Sequence, residues 1–148
     1  MLQSIENMRE ISDLCRTRAP LPEPLAEWLA NSFASFLTQR THSLNEAFGV
    51  LNGRGGIPWY VDISNRSRDT ALRTLADSFL DDLSLCAQAG RIRQMSQRYA
   101  SGSWRFDRER DEMPAAYRGT EREYLWRAFK SGAAMPLCNR QLRNILAK

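Results

Sequence analysis

Ser84-Leu-Cys-Ala-Gln-Ala-Gly-Arg-Ile-Arg-Gln-Met-Ser-Gln-Arg-Tyr-Ala-Ser-Gly-Ser-Trp-Arg105 carries two different helical faces. Leu85, Ala89, Ile92, Ser96 and Tyr99 fall on one side, with Met95 at its edge. Arg91, Gln94, Arg98, Ser101 and Arg105 follow one another at intervals of three and four on another side. The apolar stripe needs a core to pack on. A stripe of Arg, Gln and Ser without carboxylates needs water or an anionic partner. It is either a plain solvated face or a face that meets nucleic acid.

Working back from this stretch, Asp62 to Leu80 keeps helical spacing, with Leu72, Leu75, Ala76, Phe79 and Leu80 on its inner side. Arg66, Arg68 and Arg73 alternate with Asp69 and Asp77, which predicts i,i+4 pairs on a solvated side. Asp81-Asp82-Leu83 makes the turn, and Ser84 is placed to cap the next helix. Two helices joined by a short polar turn, with Arg and Gln outward on the second, form a helix-turn-helix-like pair. The turn glycine usual in that motif is missing. Trp59-Tyr60-Val61 is the one strand-like run.

Earlier still, residues 2 to 17 predict a first helix through Leu2, Ile5, Met8, Ile11 and Leu14. Three prolines between Arg18 and Pro24 break it. A second helix begins near Pro24 and runs to about Gln39, with Trp28, Phe33 and Phe36 on a wide apolar face. Ser43 and Glu46 form a capping-box pattern that opens a short helix over 44–51. Asn52 to Pro58 is a glycine-rich loop that lacks the order of a phosphate-binding P-loop. Arg54 and its glycines match in part the Arg-Gly-Arg-Pro core of a minor-groove hook, against the plainer reading of a hinge or turn.

Past Arg105, Phe106 to Pro114 reads as a solvated linker of mixed charge. Thr120 and Glu123 repeat the capping-box pattern, and a helix with Tyr124, Leu125, Ala128 and Phe129 inward runs to Gly132. Met135 to Cys138 leads into a last helix, with Leu142, Ile145 and Leu146 inward and Arg140, Arg143 and Asn144 outward. This is a second helix-turn-helix-like pair, again with Arg on the later helix. The expected fold class is all-α, a multi-helix bundle. Residues 1–106 would form a helical core domain and 115–148 a C-terminal hairpin packed on it. Trp28, Phe33, Phe36, Leu72, Leu75, Phe79, Ile92, Tyr99, Leu125 and Phe129 are expected to share one core. On that basis Phe36→Ala or Phe79→Ala should cost about 3–5 kcal/mol.

Composition narrows the function classes. The chain has 148 residues, 43% apolar, with a net charge of +4. Of its 21 basic residues 19 are Arg, through a preference for forked phosphate contacts or through the codon bias of a GC-rich genome. Residues 1–60 hold five Arg against six carboxylates; residues 61–148 hold sixteen basic groups against eleven acidic ones. The basic half is the C-terminal one. Cys15, Cys86 and Cys138 lie far apart, and His42 is the single histidine. That argues against a Cys/His zinc site and against a disulfide framework. Reduced thiols, with no signal peptide and no apolar run of bilayer length, lead us to expect a cytoplasmic protein away from the membrane.

Ser43 to Gly49, Arg54 to Trp59 and Met135 to Leu146 resemble uncharacterised small proteins of proteobacterial phages and integrated mobile elements. The likeness extends over most of the chain. It implies a DNA-related or host-directed role and transfers no site residues.

No serine sits in a G-x-S-x-G context, and no pair of titratable groups stands out as an acid and base. Asp107, Glu109, Asp111 and Glu112 are the one acidic group near enough in sequence to consider for a divalent cation, but they are interleaved with Arg. A non-enzyme without cofactor or metal is therefore expected. In one reading it binds duplex DNA, as a monomer or a homodimer: Arg91, Arg98, Arg105, Arg140 and Arg143 would hold the backbone, while Gln94 and Arg98 reach base edges. In the other it inhibits a host defence complex, using the same Arg stripe or anchors such as Trp59, Tyr60, Trp104 and Phe106.

Overall fold

The computed structural model describes residues 2–51 and 57–147. The loop containing Arg54 lies outside the described residues. The chain is all-α, with 70% of it helical and no strand among the described residues. None of the described helices is long and apolar enough to cross a membrane. The chain divides into two compact units, Met1–Trp59 and Tyr60–Lys148.

The first unit holds α1 (Leu2–Thr17), α2 (Glu23–Leu37) and α3 (Leu44–Ala47). Pro24 sits in the first turn of α2, where its missing N–H costs nothing. Gln39 ends that helix in the left-handed conformation, at φ +58°, and Arg40 N–H then reaches back to the Ser35 carbonyl at 3.0 Å. The capping box before α3 is present in modified form. Ser43 Oγ accepts from Glu46 N–H at 3.1 Å, while the Glu46 carboxylate accepts from His42 N–H at 2.9 Å. Phe48 packs against the rings of Trp28 and Phe33, each at 5.4 Å between centroids. Ile5, Leu25 and Val50 are the buried hydrophobics of this unit, together with the Ser32 side chain, which turns back to the Trp28 carbonyl.

The second unit holds α4 (Trp59–Phe79, with Trp59 at the boundary), α5 (Leu85–Ser101), α6 (Trp104–Asp107), a 3₁₀ turn (Ala115–Tyr117), α7 (Glu121–Lys130) and α8 (Asn139–Leu146). The strand-like run Trp59–Val61 is the first turn of α4. A lone three-residue strand would leave its N–H and C=O groups unpaired, whereas the helix that follows absorbs them. Ala71, Leu72, Leu75 and Ala76 of α4 meet Ala89, Ile92, Met95 and Tyr99 of α5 in one core. Leu125 and Ala128 of α7 and Leu142 and Ile145 of α8 complete it. Leu72, Leu75, Ile92 and Leu142 are the largest fully buried side chains.

Two expectations are corrected here. α7 and α8 supply the far wall of the core that α4 and α5 begin, within the unit Tyr60–Lys148. Trp28, Phe33 and Phe36 are not members of that core. Phe33 is 44% exposed, Phe36 half-buried, and Phe79, at the end of α4, is 36% exposed against the Tyr124 ring. Finally, the charged side of α4 is less solvated than its spacing implies. Arg66 does pair with Asp62 at i,i+4, 2.9 Å apart. Arg68, however, donates to the Ala134 carbonyl at 2.5 Å and Arg73 to the Ile145 carbonyl at 3.3 Å, so both hold the C-terminal segment. Arg73 meets one of the carbonyls left free at the end of a helix.

Leu72→Ala or Leu75→Ala is expected to cost about 2–5 kcal/mol in denaturant unfolding, since each leaves a cavity in a filled interior. Phe36→Ala and Phe79→Ala should each cost less than either, because part of the ring already faces water. Equal losses at all four positions would contradict this core.

Candidate nucleic-acid interface

Ser84 caps α5 as expected, its Oγ accepting from Ala87 N–H at 3.4 Å. The turn before it is tied by the Gln88 side-chain amide, which donates to the Leu80 carbonyl at 2.9 Å. With Ala89, Ile92, Met95, Ser96 and Tyr99 buried, the register of α5 leaves Arg91, Arg93, Gln94, Gln97 and Arg98 exposed on its other side. Arg91 donates to the Gln94 amide oxygen at 3.3 Å.

The stripe does not run on to Arg105. α5 ends at Ser101, and Gly102 N–H is shared between the carbonyls of Arg98 (3.1 Å) and Tyr99 (3.3 Å). A Cβ at Gly102 would stand 3.1 Å from the Arg98 carbonyl oxygen, so glycine suits this tight exit. Arg105 lies beyond it on α6, where helical register no longer aligns it with Arg98. Arg140 and Arg143 are exposed on α8, the helix that makes the closest pairing with α5.

Two depressions flank the arc. An open groove of about 560 Å³ is lined by Arg91, Arg93, Gln94 and Gln97 of α5 and by Asn139, the first residue of α8. The Asn139 side-chain oxygen is buried without a hydrogen-bond partner. On the other side a cleft of about 350 Å³ brings Arg91 and Arg98 together with Glu121 and Arg122 at the start of α7. Thus Arg91 belongs to both depressions, Gln94 to one and Arg98 to the other; Arg105, Arg140 and Arg143 line neither. Arg93, Gln97 and Arg122 are additions. The first two were legible as an i,i+4 pair beside the stripe, whereas no spacing rule links Arg122 to α5.

The solvated linker expected after Arg105 instead contains a buried carboxylate. Asp107, 4% exposed, accepts at Oδ2 from Tyr99 (2.8 Å) and from Tyr117 (2.9 Å). Arg110 approaches its other oxygen at 3.6 Å. Asp107 is therefore drawn away from the acidic group considered for a cation, and Glu109 pairs with Arg108 at 3.0 Å. No group of three His, Cys, Asp or Glu among the described residues is placed to hold a metal ion. The rings of Tyr99, Trp104 and Phe129 pack on one another beside this carboxylate, at 5.1 to 6.1 Å between centroids.

Burial, then the hydrogen bond to Asp107 and that carboxylate's charge, hold the Tyr99 phenol well above its ordinary range. A proton bound more tightly in the folded state stabilises the fold in full below the unfolded value of about 10, and the contribution is lost as pH rises past it. The wild type should therefore lose stability more steeply than Tyr99→Phe between about pH 9 and 11, read from denaturant midpoints. Asp107→Ala, which strips two largely enclosed hydroxyls of their acceptor, should cost about 2–4 kcal/mol at neutral pH.

Comparison with protein-family models, with curated proteins and with solved structures gave no match to this chain.

Proposed function

We propose that the chain binds duplex DNA through α5 and the neighbouring start of α8, as a regulator in the phage or mobile-element setting that the sequence resemblance implies. One observation carries the reading. α5 and α8 pack against each other, and together they hold five arginines and no carboxylate. All five are exposed, and none of them forms an ion pair with a carboxylate of the described residues. Of the nine arginines elsewhere in the same unit, five, Arg66, Arg68, Arg108, Arg110 and Arg127, have an acidic partner. Solvated helix faces commonly mix signs; a surface of one sign attracts a polyanion.

In this reading α4 and α5 act as a helix-turn-helix-like pair. Arg91, Arg93, Arg98, Arg140 and Arg143 hold phosphates, and Gln94 and Arg98 reach base edges. Arg105, set apart on α6, contributes at most a peripheral backbone contact. The protein-inhibitor reading draws on Phe106, which is 74% exposed beside Arg105.

Phosphate contact releases counterions, so log affinity should fall with log salt at a slope of about −0.9 per phosphate held. Replacing Arg91, Arg93 and Arg98 together by Ala should weaken binding to every sequence and flatten the slope by roughly one unit per arginine engaged. Gln94→Ala should instead relax preference among sites, by about 1–3 kcal/mol at the position read. If the triple variant, shown folded by circular dichroism, binds duplex as the wild type does, the DNA reading falls. Phe106→Ala leaves duplex affinity unchanged in the DNA reading.

A further inference from the structure

The geometry points to a discrete phosphate site in the cleft between α5 and the start of α7, formed by Arg91, Arg98 and Arg122. Three arginines from two helices line this concavity, against one carboxylate, Glu121, so the lining carries an excess of two positive charges. Glu121 forms no ion pair with any of the three. A volume of about 350 Å³ has room for a phosphate group together with part of whatever bears it. Arg presents a planar fork of donors to such an anion, and three arginines line this one concavity.

The third arginine is held in place. The guanidinium of Arg122 lies over the Tyr117 ring, 5.6 Å from its centroid. Tyr117 is itself fixed by its hydroxyl, which donates to Asp107 at 2.9 Å. Tyr99, whose ring lines the cleft, donates to the same carboxylate oxygen at 2.8 Å. One buried carboxylate therefore sets both a wall of the cleft and the platform under Arg122. A plain solvated arginine needs neither. Ser103, just past the break at Gly102, adds a hydroxyl to the lining.

The site does not depend on the DNA reading. The phosphate it takes belongs to a nucleic-acid backbone or to a small phosphorylated molecule, and the test separates the two. The full chain, labelled with nitrogen-15, is titrated with sodium phosphate against sodium chloride at matched ionic strength. The backbone amides of Gly102, Ser103, Glu121 and Arg122 should shift with phosphate along a saturating curve. Arg98→Ala and Arg122→Ala should each weaken that binding about tenfold. Glu121→Gln removes the one negative charge of the lining and should tighten it a few-fold. Because that substitution improves binding, a loss of fold cannot imitate it. Shifts that never saturate, or that saturate alike in wild type, Arg122→Ala and Glu121→Gln, overturn the site. A duplex added to the phosphate-loaded protein then identifies the source. Reversal of the phosphate shifts means that the cleft seats a backbone phosphate; duplex binding that leaves them in place means that it serves a small phosphorylated ligand. Saturable phosphate binding in a protein that binds no duplex would retain the site and discard the DNA reading.

Discussion

The second unit depends on the burial of one side of α5. Ile92 and Ala89 are fully enclosed there, and every other helical wall of that core is placed by what it must cover: Leu72 and Leu75 from α4, Leu125 and Ala128 from α7, Leu142 from α8. Removing a side chain of this size from water gives about 1.5–3 kcal/mol, so these residues outweigh the exposed ion pairs of the same unit, worth at most about 1 kcal/mol each. Fixing the inner side of α5 also fixes its outer side. Arg91, Arg93, Gln94, Gln97 and Arg98 face outward because the residues between them are spent on the core.

A second constraint works by polarity. A carboxylate as enclosed as Asp107 is costly unless its oxygens are bonded, and Tyr99 and Tyr117 supply hydroxyls for that purpose. The bond joins the end of α5 to α6 and to the 3₁₀ turn before α7. It thereby closes the segment that the charge pattern presents as an open linker. The entry to α7 is shaped by the same economy. Gly119, at φ +70°, turns its N–H to the Glu123 carboxylate at 2.7 Å, and Arg127 meets the other carboxylate oxygen at 2.5 Å. Thr120 is spared for the Tyr117 carbonyl, so the capping box read from the sequence is rebuilt around a different donor.

The arginines divide by role along the same lines. Arg68 and Arg73 look like members of a solvated face yet anchor carbonyls of the C-terminal segment. Those of α5 and α8 have no carboxylate within ion-pair reach, although they sit on neighbouring helices. The difference lies in where the nearest carbonyl or carboxylate falls after folding, not in the residue type or its local spacing.

Helical periodicity by itself determined the fold class, the positions of α2, α5, α7 and α8, the Ser43 and Ser84 caps, and the inward turn of Ala89, Ile92, Ser96 and Tyr99 on α5, although Leu85, expected beside them, lies 40% exposed at the first turn. These are local properties: the pitch of the helix and the reach of a side chain to its own backbone decide them. The same logic gave the outward places of Arg91, Gln94, Arg98, Arg140 and Arg143. Only the tertiary structure decided that α7 and α8 close the core of α4 and α5, that Phe33 and Phe36 are not among that core's members, and that Arg105 leaves the stripe at Gly102. It alone brought Arg122 to Arg91 and Arg98, and buried Asp107 between two tyrosines. Each of these is a meeting of residues distant along the chain, or a break enforced by packing, and periodicity carries no record of which helix will lie beside which.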